Sequence, residues 1–229
     1  MAPPLQAISS MATRLLLADL VRDYHDQTGV EWRVESVGGV DAARRVQAGE
    51  AFDAVLLAAD AIERLIASGQ VQAGSRVDWV RSPVALAVRA GAPLPDVGSE
   101  AALRQAVCAA RSLGVSTGPS GTALLELFER WGVLDALRPR LVTPPPGVPV
   151  GSLVANGTVE LGFQQLSELL TLPGIALLGP LPPACAIETV FSAGLCTAST
   201  QPEAVRAWFD FLRSPASADC KRRHGMAPL

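Results

Sequence analysis

The sequence predicts an α/β fold of two lobes, each a mixed sheet flanked by helices, with a ligand cleft expected between them. Three observations predict it. Short apolar runs of strand length alternate with amphipathic runs of helical period almost from end to end. The pattern around Val46–Leu57 has an echo around Val154–Leu170. Two stretches, Ser82 to Val84 and the neighbourhood of Val190, read as places where the chain crosses from one lobe to the other. The expected division is residues 1–82 plus 190–229 for a discontinuous first lobe, and 83–189 for an inserted second lobe.

In order, Leu5–Ser9 reads as the first strand. Leu15, Leu16, Leu20, Val21 and Tyr24 then recur at helical spacing up to Gly29, a natural helix stop. Glu31–Ser36 alternates as a strand does, and Asp41 to Gln47 is a helix closed near Gly49. Asp53–Leu57 is a buried strand, followed by a helix from Ala59 to Ser68 that Gly69 stops. In the second lobe Val84–Arg89 is a strand, Gly91–Gly98 a breaker-rich loop, and Ser99 the cap of a helix reaching Ala110. Strand Leu113–Ser116, loop Thr117–Gly121 and a helix through Trp131 follow. Thr143–Pro149 is stiff and partly polyproline-like. Strand Val159–Phe163 and helix Leu166–Leu170 complete the echo, which chance similarity of two α/β units explains equally well. Ala186–Thr197 has strand character, Pro202–Arg213 is an amphipathic helix, and a short helix over Pro215–Arg223 ends at Gly225.

Composition narrows the function classes. The chain of 229 residues is 49% hydrophobic and 18% charged, with mean hydropathy +0.29, so it buries a sizeable core rather than staying disordered. A net charge of −3 argues against a nucleic-acid partner, which needs a basic face. Two histidines leave no basis for a histidine-rich metal centre, and no metal or cofactor is expected. Lys221, the one lysine, sits in a charged stretch, a poor place for Schiff-base chemistry. Cys108, Cys185, Cys196 and Cys220 form no C-x-x-C pair and are expected as free thiols. No apolar run approaches the ~18–20 residues of a membrane span, so no membrane insertion is expected. Residues 1–10 lack the basic and apolar regions of a leader. The expected location is cytoplasmic as the sequence is written, or periplasmic if Met1 replaces a removed leader.

Candidate binding residues come from the strand-to-helix joints, because ligands of open α/β sheets bind at the carboxyl ends of strands, where helix N-termini offer unpaired N–H groups. Those joints contain Ser9, Ser10 and Met11; Gly38 and Gly39; Thr117, Ser120, Gly121 and Thr122; Val150 and Gly151; and Gln164 and Gln165. They are rich in hydroxyls, amides and glycine and poor in charge, which suits an anion held by neutral donors. Each piece also has a plainer use, as helix cap or turn. No catalytic base stands out among Glu168, Asp41 and His25, and His25 is expected on a solvated helix face. Arg81, near a crossing, suits either a carboxylate ligand or a structural ion pair.

Several ordered motifs carry a resemblance. Ile8–Thr13, Ala43–Glu50 before Phe52-Asp53, Arg81–Gly91, Leu161–Leu169, Leu178–Pro182, Phe191–Gly194 and Gly225–Leu229 together resemble the molybdate-binding-protein-like group of substrate-binding proteins. The resemblance covers nearly the whole chain and implies the type II periplasmic-binding-protein fold. It also implies a small anionic ligand and, if the chain is exported, an ABC permease as partner. Two departures point away from molybdate. The second loop reads Ser36–Val40 with no hydroxyl near Gly39, and Phe163-Gln164-Gln165 stands where the oxyanion binders carry a tyrosine. A small polycarboxylate is the expected ligand. Proteins resembling this fold include isomerases that move a proton within a tricarboxylate such as aconitate, so an isomerase of a small di- or tricarboxylate is the alternative. A ligand sensor is a further one.

Overall fold

The structure, a computed structural model, describes residues 3–145 and 147–229. Met1, on which the expectation about a leader rests, and Pro146 of the proline-rich stretch lie outside the described residues. The chain divides into two compact units: unit 1 is the chain up to Arg81 together with Val190–Leu229, and unit 2 is Ser82–Thr189.

Unit 1 is built on β1 (Leu5–Ser10), α1 (Arg14–Thr28), β2 (Trp32–Val37), α2 (Gly39–Gln47), β3 (Ala54–Ala58) and α3 (Ala59–Ala67). β1 pairs in parallel with both β2 and β3, as strands joined by crossover helices must. All five residues of β3 are buried, which is why its sequence is a continuous apolar run rather than an alternating one. Gly29, at φ 73°, ends α1 by donating its N–H to the His25 carbonyl.

β4 (Val77–Arg89) begins in unit 1 and continues into unit 2. It is far longer than the expected Val84–Arg89. The charges at Asp78 and Arg81 mask its first half, and Asp78 is satisfied locally by Arg76 and by Ser192, whose hydroxyl donates at 2.6 Å.

Unit 2 continues with α4 (Glu100–Ala109), β5 (Leu113–Gly114), α5 (Pro119–Arg130), α6 (Leu134–Leu137), β6 (Leu141–Val142), α7 (Val150–Ala155), β7 (Leu161–Gln165), α8 (Leu166–Leu169) and β8 (Ile175–Pro180). Ser99 caps α4 by accepting the Ala102 N–H. Within this unit β4 pairs antiparallel with β7 and β8, while β5 pairs in parallel with β7 and β6. The opposed pair Gly114 and Gly162 lets α7 approach the sheet. A Cβ would lie 2.6 Å from Val150 at Gly114 and 2.4 Å from Val154 at Gly162. β8 is absent from the sequence reading because Gly179-Pro180 looks like a breaker. Its edge position tolerates both residues.

β9 (Glu188–Leu195) returns the chain to unit 1 and pairs antiparallel with β3. α9 (Pro202–Arg213), α10 (Ala218–Arg223) and β10 (Ala227–Pro228) close the chain, and β10 pairs with Val80 and Arg81 of β4. α9 buries Val205, Trp208, Phe209, Phe211 and Leu212, with the Trp208 ring stacked on Trp32 at 4.1 Å. The charged stretch expected around Lys221 holds a fully buried lysine instead. Its Nζ donates to the Leu212 carbonyl at 2.5 Å and lies 5.8 Å from the centre of the Trp79 ring, and burial pushes its ammonium down to about 8. Among the described residues no cysteine is in a disulfide, and Cys108 is exposed whereas the other three are buried. No described helix is long and apolar enough to cross a membrane.

Candidate functional site

In unit 1 the chain leaves β1 at Ser10, makes one 3₁₀ turn over Met11–Thr13 and enters α1. Ser10 is extended (φ −75°, ψ 157°) and its side chain caps nothing. The residue is 7% exposed, yet its Oγ has no hydrogen-bond partner among the described residues. Its carbonyl is well used, accepting the hydroxyls of Thr13 at 3.2 Å and Ser9 at 3.3 Å. A buried hydroxyl left unpaired costs about 1–3 kcal/mol. An acceptor brought by a ligand would remove that cost. Ser9 differs, because its Oγ lies 2.8 Å from Ser36 Oγ, the residue opposite it in the β1–β2 register. Met11 is half-buried beside them in the chain.

Gly38 and Gly39 stand at the β2-to-α2 joint with negative φ, so backbone conformation does not require glycine. A Cβ on Gly38 would meet nothing within 4 Å. One on Gly39 would touch Ser10 Cβ at 3.7 Å, an ordinary contact. Gly38 therefore borders open space and Gly39 packs beside Ser10, at the start of a helix whose first N–H groups lack intrahelical acceptors. Val40 follows on the same turn and is 67% exposed.

In unit 2 four candidates gather at α5. Ser120, Gly121 and Thr122, with Pro119, form its first turn, so the helix starts earlier than the expected loop allows. Ser120 Oγ pairs with Ser116 Oγ at 2.9 Å. A Cβ on Gly121 would fall 1.8 Å from the Ser116 carbonyl oxygen, so only glycine fits where the turn folds against the end of β5. Thr117 and Thr122 are exposed.

Val150 and Gly151 open α7, and the Gly151 N–H donates to Gln164 Oε1 at 3.0 Å. Gln164 Nε2 in turn donates to Glu168 Oε1 at 2.8 Å. The half-buried Glu168 carboxyl is pushed up to about 7 by burial, against the opposing pull of the Gln164 N–H. Gln164 and Gln165 are the last residues of β7 rather than residues beyond the strand. Their backbones stay in register with Ala85 and Val84, and pairing does not depend on side-chain polarity. Gln165 Nε2 donates to Thr189 Oγ1 at 2.7 Å, while its Oε1 is buried without a partner. The two ends of the amide are interchangeable. Turned by 180°, it accepts from the Thr189 hydroxyl and leaves a buried NH₂ donor without a partner.

The structure thus brings Ser10 beside Gly39, and Gly151 to Gln164. Ser36, Ser116, Glu168 and Thr189 support these residues and were not singled out as site residues from sequence. Nor was Ser82, whose Oγ is fully buried and unpartnered. Hydroxyls opposite a strand-end serine in register, as Ser36 is, were the available signal.

Two α/β units between which the chain passes twice, with neutral donors at their strand-to-helix joints, define the substrate-binding-protein class. The chain belongs to the bacterial extracellular solute-binding protein family, whose profile matches residues 5–227. It is 35% identical to an aconitate isomerase from Pseudomonas sp. over 230 aligned residues, 98% of this chain and 88% of that protein. It is 26% identical to the molybdate-binding protein ModA of Rhodobacter capsulatus over 109 residues, 48% of this chain and 43% of that one. Among solved structures, the periplasmic molybdate-binding protein of Azotobacter vinelandii superposes with a TM-score of 0.81 at 19% identity, covering 97% of this chain and 98% of that one. The molybdate-binding-like resemblance and the periplasmic-binding-protein fold are therefore correct.

Proposed function

We propose that the protein binds a small polycarboxylate anion through neutral donors at its strand-to-helix joints. The observation that carries this reading is the buried, unpartnered hydroxyl of Ser10, a residue that lies beside Gly39. A carboxylate oxygen there supplies the missing acceptor, and a hydrogen bond to a charged oxygen contributes about 1.5–3 kcal/mol. The Gln165 amide, one end of which is buried without a partner, is a second donor of the same kind once turned by 180°. Tetrahedral oxyanions are disfavoured, since no hydroxyl stands at Gly39 and an amide replaces the expected tyrosine. The half-buried Met11 and the exposed Val40 suit a ligand with a carbon skeleton.

The full-length similarity to an aconitate isomerase favours a tricarboxylate of that class and supports a second reading, proton transfer within the bound ligand. Moving a proton next to a carboxylate needs a group that exchanges protons near neutrality. Glu168, at about 7 and hydrogen-bonded to Gln164, is the residue whose acidity fits. If the protein binds without turnover, its role is delivery of the anion to an ABC permease from the periplasm.

Calorimetric titration with cis-aconitate, trans-aconitate, citrate, sulfate and molybdate tests the binding reading. Micromolar or tighter affinity for a polycarboxylate is expected, and tight selective binding of molybdate would overturn it. Proton NMR of each aconitate isomer incubated with the protein in deuterium oxide separates the two roles. Interconversion with deuterium incorporation establishes the isomerase, and an unchanged spectrum with binding establishes the carrier.

A further inference from the structure

Asp19 on α1 and Cys220 and His224 at α10 form a cluster that belongs to none of the anion-binding joints. Cys220 and His224 are four residues apart, and the His224 N–H still reaches the Cys220 carbonyl, so both side chains lie on one helix face. One ligating atom from each of the three residues lies within 4.8 Å of the others, and His224 Nε2 is 2.8 Å from Asp19 Oδ2.

We propose that Asp19, Cys220 and His224 form a site for a borderline-soft divalent cation of the zinc type, with one coordination position left to water. Zinc takes nitrogen, sulfur and oxygen ligands at about 2.0–2.3 Å in tetrahedral geometry. Ligand atoms around such a centre stand roughly 3.2–3.7 Å apart, by simple trigonometry on those bond lengths. The histidine–aspartate contact therefore opens by about 0.5 Å and the thiol closes by at most about 1.3 Å, within the reach of side-chain rotation. Binding releases the Cys220 thiol proton to water, and carboxylate and thiolate together then neutralise the dication. Arg22 holds the other Asp19 oxygen, Oδ1, at 2.9 Å and leaves Oδ2 for the metal, the orienting role that outer-shell partners serve. The site is dry at its sulfur end, where Cys220 is buried. It is open at the other end, where the His224 and Asp19 side chains keep 18% and 32% exposure, which provides an entry path. The mixture of donors selects against magnesium and calcium, which require oxygen ligands. With only two histidines in the chain a histidine-rich centre is excluded, but this site needs one. Bound metal ties α1 to the C-terminal α10 and stabilises unit 1 by mass action.

Titration of the full chain with Co²⁺ alone, in the absence of chelators, tests the site. The expected result is a cobalt–thiolate charge-transfer band that saturates at one equivalent and is bleached by Zn²⁺. Cys220→Ser abolishes the band, and Asp19→Asn, at a partly exposed position, keeps the band with affinity weakened at least about tenfold. Cys108→Ser, which removes the exposed thiol, leaves the titration unchanged. Absence of the band overturns the proposal, as does a band that survives Cys220→Ser or disappears with Cys108→Ser. If Cys220→Ser fails to fold, the Asp19→Asn and Cys108→Ser titrations decide the matter: unchanged affinity in the first or a lost band in the second overturns it.

Discussion

Replacing Ser10 by alanine should make the unliganded protein more stable while making it a worse binder. The Oγ of Ser10 is buried and unpartnered, so its removal takes away a desolvation cost of about 1–3 kcal/mol and leaves a gap no larger than one oxygen. Taking about 1 kcal/mol as the net gain, the melting temperature of a chain this size rises by about 2–4 °C. In the complex the same change deletes a hydrogen bond to a carboxylate worth about 1.5–3 kcal/mol, which weakens affinity about 10- to 150-fold. Ser9→Ala is the matched control. It breaks the 2.8 Å contact with Ser36 and should lower the melting temperature by a similar 2–4 °C, with a smaller effect on binding. Thermal unfolding without ligand and calorimetry with trans-aconitate read both effects. If Ser10→Ala destabilises the free protein and leaves affinity intact, Ser10 is a structural hydroxyl and the reasoning fails.

Glycine substitutions should separate packing from ligand access. Gly121→Ala places a Cβ 1.8 Å from the Ser116 carbonyl oxygen and should cost about 3 kcal/mol or more in denaturant unfolding. Gly38→Ala meets nothing and has a compatible φ of −55°, so it should leave stability unchanged or raise it by about 0.4–1 kcal/mol while weakening polycarboxylate binding. Glu168 gives a pH signature. Its folded pKa, raised to about 7 from 4.5, means the native state holds a proton that the unfolded chain has released. Its contribution to stability is thus full below pH 4.5 and lost as pH rises through 7, with a slope of at most about 1.4 kcal/mol per pH unit. Glu168→Gln should remove that slope from chemical-denaturation curves recorded across this window. Lys221→Met should be neutral or stabilising by about 1 kcal/mol in the same assay. It removes a buried charge, and Ser217 Oγ, 2.8 Å away, still satisfies the Leu212 carbonyl that Lys221 shares.

Apart from the short α6, β6 and β10, the helices and the apolar strands were legible because their causes are local: a hydrophobic stripe, a capping serine at Ser99, a left-handed glycine at Gly29. The first half of β4 and all of β8 were not, since their stability comes from partners distant in sequence. Asp78 is held within a strand by Arg76 and by Ser192, which donates to it across 114 positions, and Ile175–Pro180 is a strand because β4 pairs with it. The site divides in the same way. That hydroxyls and amides collect at strand ends is plain in the letters, but which of them is free is not.

Two doubled residues show why. Ser9-Ser10 ends β1 and Gln164-Gln165 ends β7, and successive side chains of a strand point to opposite faces. One member of each pair is consumed by the unit itself: Ser9 by Ser36, and Gln164 by the Gly151 N–H and Glu168. The other member in each case, Ser10 and Gln165, keeps a buried polar atom without a partner. A period of two therefore turns a repeated letter into one residue satisfied within its unit and one that keeps an unpaired polar atom. Which is which depends on the residue that β2 sets opposite in register and on the face against which α7 packs, and both are facts of the tertiary fold. The rule makes a discriminating statement about function. Making Ser10 apolar removes a buried unpaired atom and breaks no side-chain hydrogen bond, whereas making Gln165 apolar also strands the Thr189 hydroxyl, so Ser10→Ala is the cleaner test of whether a ligand supplies the missing partner.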